Sequence, residues 1–543
     1  MGDFWANRTT LSMMSSAVIS FVAVGVLTAL AFKWGWLEGV LYHFVYVGDW
    51  KAQTGIWANR WLFGLPSSVA LALPATLVTA VLWLLKLDIV KLLSRDDTDQ
   101  QGSARYATGS EKRKYHKGDS ASLIVGSRDS GQPYYFSGPE HLLTVAPNRS
   151  GKGVGVIIPN LLTAMRSVIC IDPKGENAQI TARHRGTFGP VYVLDPFNVS
   201  GKHNCDYNPL SDLDPDDPNF VDDAASLASA LIITPPNARD QHFDEAARAL
   251  LRGLIMLAAA AEPPERQNLV TVREYLTYPP EKFQTLLKVM ADSPEADGAI
   301  ASAANVFIGK NPREAASILS TAQEQTNFLD SPQLRKTLKA SKLDFSTLKD
   351  EIASVYIVLP QSRMESHGRW LRLLIARALQ DIERNRTKPP APVLFLLDEF
   401  ATIGDLPMIK TAIGLMAGFG LQIWAFLQNW GQLEDLYDKG AHTFAANAGV
   451  FQAFSVNDLM TAKQVSDLSG DATVGFTQTT GGANLSTSTT LYGRKLLTPD
   501  EAMHLDEGKM FLKFKGTRAI LARKITYYQD RRYRGLYDQS DLN

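Results

Sequence analysis

The chain has 543 residues, with 55 Lys+Arg set against 56 Asp+Glu, for a formal net charge of −1. That balance excludes a histone-like or polybasic-tail protein whose binding is run by bulk charge. Two cysteines, Cys170 and Cys205, exclude a disulfide scaffold and a multi-cysteine metal site. The 45% hydrophobic and 20% charged residues describe a folded chain, with roughly three domains by length.

The first elements are apolar. Leu11–Phe32 and Pro66–Leu85 carry no charged side chain, and about 20 such residues span a bilayer core. A signal peptide fits the first run poorly, because the run is too long and no small-residue cleavage site precedes Lys33. A buried core hairpin is the other alternative, disfavoured because core helices rarely lack charge for so long. Trp34, Trp36, Trp57 and Trp61 flank the runs, where aromatic belts form. The expectation is a transmembrane domain over 1–95, with helices at about 11–32 and 66–87. Two spans put both termini on one side, and the nucleotide site argued below makes that side the cytoplasm. The loop at about 33–65 is then periplasmic.

An acidic linker follows Arg95. Short apolar runs at His141–Ala146, Ser167–Asp172, Val191–Asp195, Ala353–Leu359, Val393–Asp398 and Leu421–Leu427 read as strands buried on both faces. Helical patterns between most of them predict right-handed βαβ crossovers and a mainly parallel sheet. From about Leu213 to Leu343 the rhythm is helical only, as in Phe220–Ile233, His242–Ala261 and Glu281–Ala291. The expected organisation is a nucleotide-binding domain over 96–210 and 343–543, interrupted by an inserted all-α domain over 211–342. Thr477–Thr490 reads as a hairpin turning at Gly481-Gly482.

Ala146-Pro147-Asn148-Arg149-Ser150-Gly151-Lys152-Gly153-Val154 follows a strand and opens a helix. That is the setting of a phosphate-binding loop, whose backbone N–H groups cradle phosphates while Lys152 reaches the β/γ-phosphates. It departs from the standard pattern at Ala146 and at Gly153, which replaces the hydroxyl residue that ligates Mg²⁺. A tight glycine turn is the alternative. The strand ending in Asp398-Glu399 answers it, since adjacent carboxylates there suit a Mg²⁺ ligand (Asp398) and a water-polarising base (Glu399). Gln428 ends the next strand and is placed to sense a γ-phosphate or orient water, or is simply a loop glutamine. Asp172 ends the strand after the phosphate loop, as a nucleotide contact, an outer partner of the metal, or a helix cap. An arginine from a neighbouring subunit is implied. Arg363, Arg369, Arg372 and Arg494 are candidates that nothing in the sequence separates, each also readable as a surface salt-bridge partner, and Arg363 is the one carried forward.

Several spaced motifs together resemble the type IV secretion coupling proteins of the TraG/VirD kind. They are Gly102-Ser103-Ala104-Arg105-Tyr106-Ala107-Thr108, Arg149–Gly155, Asp172-Pro173-Lys174-Gly175-Glu176-Asn177, Asn208-Pro209-Leu210, Leu397-Asp398-Glu399-Phe400 and Leu497-Thr498-Pro499-Asp500-Glu501. The resemblance runs from the membrane hairpin to about Tyr528. It implies an α/β fold with a RecA-like P-loop NTPase core, an inserted all-α domain that reads substrates and a two-helix anchor. It implies ATP and Mg²⁺ as cofactors, with Gly153 shared by the family and Ser150 a candidate to complete the Mg²⁺ shell. It also implies a homo-hexamer at the bacterial inner membrane. Such a hexamer passes a relaxase bound to single-stranded DNA, or effector proteins, to a type IV secretion channel. Many relatives carry a longer, often acidic tail, and recruitment without one is the expectation for a chain ending at Asn543.

Charge is segregated despite its near-zero sum. Six aspartates lie between Asp212 and Asp223, readable as helix caps or as a docking patch for a basic signal. From Lys509 to Arg534 there are nine Lys and Arg against Asp530 alone. Lys513, Lys515 and Arg518 are the nucleic-acid candidates there, beside the readings of a solvated basic face or a lipid contact. A chromosome-type DNA translocase and a non-hydrolysing docking receptor are the rival functions.

Overall fold

The computed structural model describes residues 101–234, 241–404, 406–480 and 486–540. The expected anchor, with its two helices and periplasmic loop, lies outside these residues. Among the described residues no helix is long and apolar enough to cross a membrane.

Thirteen strands build the described unit. They are β1 (Leu123–Ser127), β2 (Pro133–Phe136), β3 (Leu142–Val145), β4 (Val168–Ile171), β5 (Val191–Leu194), β6 (Ser354–Ile357) and β7 (Val393–Leu397). After these come β8 (Leu421–Leu427), β9 (Val450–Ala453), β10 (Asp471–Thr480), β11 (Ser486–Lys495), β12 (Lys509–Phe514) and β13 (Ile520–Arg523). Eleven form one sheet in the order β2-β1-β13-β12-β9-β3-β8-β7-β4-β6-β5. From β9 to β5 every neighbouring pair is parallel. From β9 through β12, β13 and β1 to β2 every pair is antiparallel. The sheet is therefore mixed. The parallel part contains all six strands read from apolar runs, and its strands are almost wholly buried. β10 and β11 form a separate antiparallel ribbon paired from Asp471↔Lys495 to Thr480↔Ser486.

Between β5 and β6 the chain is helical, with Phe220–Leu231, His242–Ala261, Leu269–Leu276, Pro280–Ala291, Ala299–Ile308 and Pro312–Gln325 as its main helices. His242–Ala261 shows why. Its first half buries Ala247, Leu250, Leu251 and Leu254 at three- and four-residue spacing, a stripe on one helix face, and from Gly253 to Ala259 every residue is buried. That stripe is not sealed off from the sheet. Leu250, Leu254 and Leu227 belong to the same apolar cluster as Val355, Leu397 and Leu427. The other face of the sheet, with Leu142, Cys170, Leu396 and Phe426, packs against the helix after the phosphate loop.

The Asp212–Asp223 cluster turns partly inward. Asp223 is buried and meets Arg377, Gln380 and Arg384 on the long helix Met364–Arg384. Asp212 lies 3.6 Å from Arg377, whose guanidinium also sits 2.9 Å from the buried Asp381. Asp214, Asp216 and Asp217 serve local turns instead, Asp214 and Asp217 accepting from the N–H groups of Asp216 and Asn219. Part of the cluster is thus a structural ion network.

Candidate functional site

The site grows from the carboxyl ends of three adjacent strands, β3, β8 and β7, held in register by Val145↔Leu427 and Leu397↔Ala425. Ligands bind at that edge in parallel α/β sheets because helix N-termini converge there. After β3 the backbone reverses through Arg149 (φ 62°) and Gly151 (φ 92°). The value at Gly151 is one that a side chain strains against. Gly153–Ile157 then winds as a π-helical turn and Ile158–Thr163 continues as α-helix. The predicted loop-to-helix setting is present, with its first turn underwound relative to an α-helix. Asn148 and Arg149 face outward, while Ser150 is buried and, among the described residues, its hydroxyl has no hydrogen-bond partner.

Lys152 turns into the sheet edge. Its Nζ lies 2.8 Å from Asp398 Oδ1 and 2.8 Å from Glu399 Oε1, all three side chains being mostly buried. Burial alone pulls the ammonium down, but the two carboxylate charges and their hydrogen bonds push it above its ordinary value. Glu399 has left-handed backbone angles (φ 58°, ψ 46°) and caps the 3₁₀ turn Phe400–Ile403. A non-glycine residue there marks stored strain, which concentrates at functional sites. Gln428 Nε2 donates to Glu399 Oε2 at 2.8 Å, and Gln432 Oε1 accepts from the Gln428 N–H. Lys152, Asp398, Glu399 and Gln428 are therefore one connected group, although 247 positions separate Lys152 from Glu399.

Asp172 stands next to this group, because Ile171 and Leu397 are register partners on β4 and β7. Its Oδ2 accepts from the Ala178 N–H, in the first turn of helix Glu176–Arg185, so capping is the role it plays in this arrangement. Burial pushes its carboxyl up to about 7 against the hydrogen bonds from Ala178 and Asn177, with the Asp398 charge adding to the rise.

The arginine candidates separate. Arg372 is buried and donates to the Ala230 and Ile403 carbonyls, and Arg369 donates to Gln325. Arg494 pairs with Glu501. Arg363 is exposed beyond β6, its guanidinium 4.4 Å from the Phe197 ring centroid. One strand, β4, lies between β6, which leads to Arg363, and β7. Of the nucleic-acid candidates, Lys513 is half-buried and donates to the Leu468 carbonyl, Arg518 donates to Ser103, and Lys515 is exposed. Lys509, Phe511 and Lys513 share one strand face, and the buried Phe511 interrupts the lysines.

Two residues carried no local signal. Gln432 lies in the helix after Gln428 and acts only through that neighbour. Lys524 reaches the phosphate loop from 374 positions away, donating to the Ser150 carbonyl at 3.1 Å.

Residues 95–540 match the family described as Type IV secretory system Conjugative DNA transfer. A conjugal transfer protein TraG of Escherichia coli is 30% identical over 450 residues, covering 75% of this chain and 70% of that protein. Protein VirD4 of Agrobacterium fabrum is 28% identical over 472 residues, covering 82% and 69%. Among solved structures, the conjugative coupling protein TrwBdeltaN70 superposes with TM-score 0.61 at 17% identity, covering 78% of this chain and 92% of that one. TrwB solved with the non-hydrolysable ATP analogue ADPNP gives 0.60 at 16%, covering 78% and 93%. These likenesses give the large mixed sheet its kin, and with the motif order and the family match they lead to one statement. The chain belongs to the type IV secretory system conjugative DNA transfer family, the coupling proteins of type IV secretion.

Proposed function

We propose that the chain is an ATP-hydrolysing coupling protein, anchored in the bacterial inner membrane by a two-pass hairpin with both termini cytoplasmic, and working as a homo-hexamer. The observation that carries the reading is the Lys152 ammonium set 2.8 Å from both Asp398 and Glu399, with Gln428 on the other oxygen of Glu399. A lysine held by two carboxylates is ready to exchange them for the β/γ-phosphates of ATP, which frees both acids. Glu399, oriented by Gln428, then takes a proton from the attacking water. The water oxygen bonds to the γ-phosphorus, the bond to the β-bridging oxygen breaks, and ADP and phosphate leave.

Mg²⁺ fits this donor set. Among the described residues no group of three or more His, Cys, Asp or Glu would hold a metal unaided. Mg²⁺ takes one or two carboxylates and completes its shell with phosphate oxygens and water. Asp398 is the carboxylate, and the unpartnered Ser150 hydroxyl offers what Gly153 lacks. When bound, Mg²⁺ neutralises phosphate charge. TrwB solved with ADPNP, and with ADP and Mg²⁺, supports the choice of ATP and Mg²⁺. Arg363, exposed at the sheet edge, is the arginine offered to a neighbouring subunit. The partners are a type IV secretion channel and a cargo of relaxase with single-stranded DNA, or effector proteins.

In the full-length protein, Lys152→Ala and Glu399→Gln should each cut phosphate release by at least about 100-fold and abolish transfer, with membrane insertion intact. Wild-type transfer in either variant sinks the reading in favour of a non-hydrolysing receptor. Stimulation by double-stranded rather than single-stranded DNA would favour a chromosome-type translocase.

A further inference from the structure

A second lysine stands behind the phosphate loop. Lys524 follows β13, and its N–H donates to the Gly508 carbonyl at 2.8 Å, which fixes its backbone. Its Nζ donates to the Ser150 carbonyl at 3.1 Å and to Ser455 Oγ at 2.8 Å, and lies 5.6 Å from the Phe454 ring centroid. Ser455 follows β9 with a left-handed φ of 47°. One ammonium therefore bridges the loops after two parallel neighbours, β3 and β9. The side chain is half-buried, and among the described residues no carboxylate pairs with it.

The chain beyond Lys524 strengthens the grip. A Cβ placed on Gly155 would lie 2.9 Å from the Ile525 carbonyl oxygen, so the phosphate-loop helix and the C-terminal segment meet backbone to backbone. Ile525, Tyr527 and Tyr533 then pack with Ile158, Leu162 and Ile180 on the helices after β3 and β4. A loop that must present N–H groups inward turns carbonyls outward, and an outward carbonyl needs a donor. Lys524 is that donor for Ser150. A half-buried cation with no carboxylate in ion-pair contact, attracted by Glu507 only beyond that range, is costly unless an anion comes nearer, and this one lies beside a loop of phosphate-binding form.

We infer that Lys524 is a positioning residue of the phosphate loop. It fixes the Ser150 carbonyl, ties the loop to the end of β9 and adds positive charge behind the cradle. Through it the C-terminal segment sets the affinity for nucleotide phosphates. This rests on the ATP reading above.

The test uses full-length protein in detergent, titrated with the unreactive analogue ADPNP beside steady-state ATP hydrolysis. Lys524→Met should weaken ADPNP binding and raise KM about tenfold, with kcat changed less than about threefold, as expected for one lost charge-assisted hydrogen bond outside the reacting atoms. Lys524→Arg should restore most of the affinity. Unchanged affinity in folded Lys524→Met, while Lys152→Ala still loses binding, overturns the inference and leaves the ATP reading standing. So does a fall in kcat at unchanged KM. A wild type that binds no ADPNP overturns both. If Lys524→Met does not fold, Lys524→Gln keeps a donor for Ser150 but drops the charge. Weaker ADPNP binding then supports the positive charge behind the cradle, and wild-type binding overturns that charge contribution.

Discussion

Two segments of opposite charge have the same linear appearance and different physical fates. The acidic one, Asp212 to Asp223, and the basic one, Lys509 to Arg534, each read as a surface waiting for a charged partner. In the fold the basic segment is largely, and the acidic one only partly, spent internally. Two of the six acids meet arginines: Asp212 and Asp223 join Arg377, Asp381 and Arg384 in a network that fastens the helical insertion to the long helix Met364–Arg384. The bases are divided. Lys509, Arg523 and Arg532 pair with Asp506, Asp129 and Asp530. Lys513, Arg518 and Lys524 bond to backbone carbonyls. Lys515, Arg531 and Arg534 are exposed, with no ion pair among the described residues. Counted along the chain, charge density measures what was available to the fold, and only the remainder faces a partner.

The sharpest way to break the comparison is to remove one side of the acidic network. Arg377 is 2% exposed and stands among three aspartates. Arg377→Met would leave Asp223 and Asp381 buried beside a single remaining arginine, Arg384. Stranding one partner of a buried ion network costs about 3–5 kcal/mol. Thermal unfolding should fall by many degrees in Arg377→Met. A melting temperature within a degree or two of wild type would return the aspartates to the surface role.

What was legible follows from how each contact is encoded. Six of the seven parallel-paired strands announce themselves as apolar runs because both faces are buried. The Lys152–Asp398–Glu399–Gln428 group is readable because parallel strands deliver the ends of such runs to one edge. β9 escapes the same test because Gln452 interrupts Val450–Ala453. That glutamine is fully buried, yet satisfied by the Thr144 hydroxyl and the Val125 carbonyl, pairings that exist only in three dimensions. β1 is four apolar or small residues and a serine, with its register broken between Ile124 and Ser127, and β2 opens on a proline. Lys524 is invisible for another reason. A lysine whose partner is a backbone carbonyl leaves no complementary residue to find.

A pH series sharpens the comparison further. In the acidic network three aspartates face two arginines, and burial together with the surplus acid at Asp212 and Asp344 pushes Asp381 up to about 7, against Arg377 and Arg384. The folded value lies above the ordinary aspartate value, so the folded state holds the proton more tightly. The stability this contributes is complete below about pH 4 and is lost as pH rises through 7. Asp381→Asn mimics the protonated group. Its melting temperature relative to wild type should climb between pH 5 and pH 8, and a flat difference would sink the assignment. On the basic side, burial pulls the Lys513 ammonium down while its one acceptor is the Leu468 carbonyl. Lys513→Met trades that hydrogen bond for relief from burial of charge, so its cost should be only about 1 kcal/mol. A loss as large as that of Arg377→Met would mean the two charged segments are held in the same way.

The smallest effect concerns what remains for DNA. Nine cations against one acid would suggest a steep salt dependence if all of them tracked phosphates. Counterion release gives a slope of about −0.7 per phosphate contact on single strands. Among the described residues only Lys515, Arg531 and Arg534 of this segment are both exposed and without an ion pair, so any single-strand contact through it should contribute about −2 to the slope. Replacing these three with alanine should remove that contribution and leave the melting temperature near wild type. Asp530, already engaged by Arg532, offers the three no competing partner. If instead Lys513→Met and Arg518→Met flatten the slope as much as the triple variant, both side chains leave their carbonyls when DNA arrives. The basic segment would then be a surface after all, and its difference from the acidic network would be one of exchange rather than of burial.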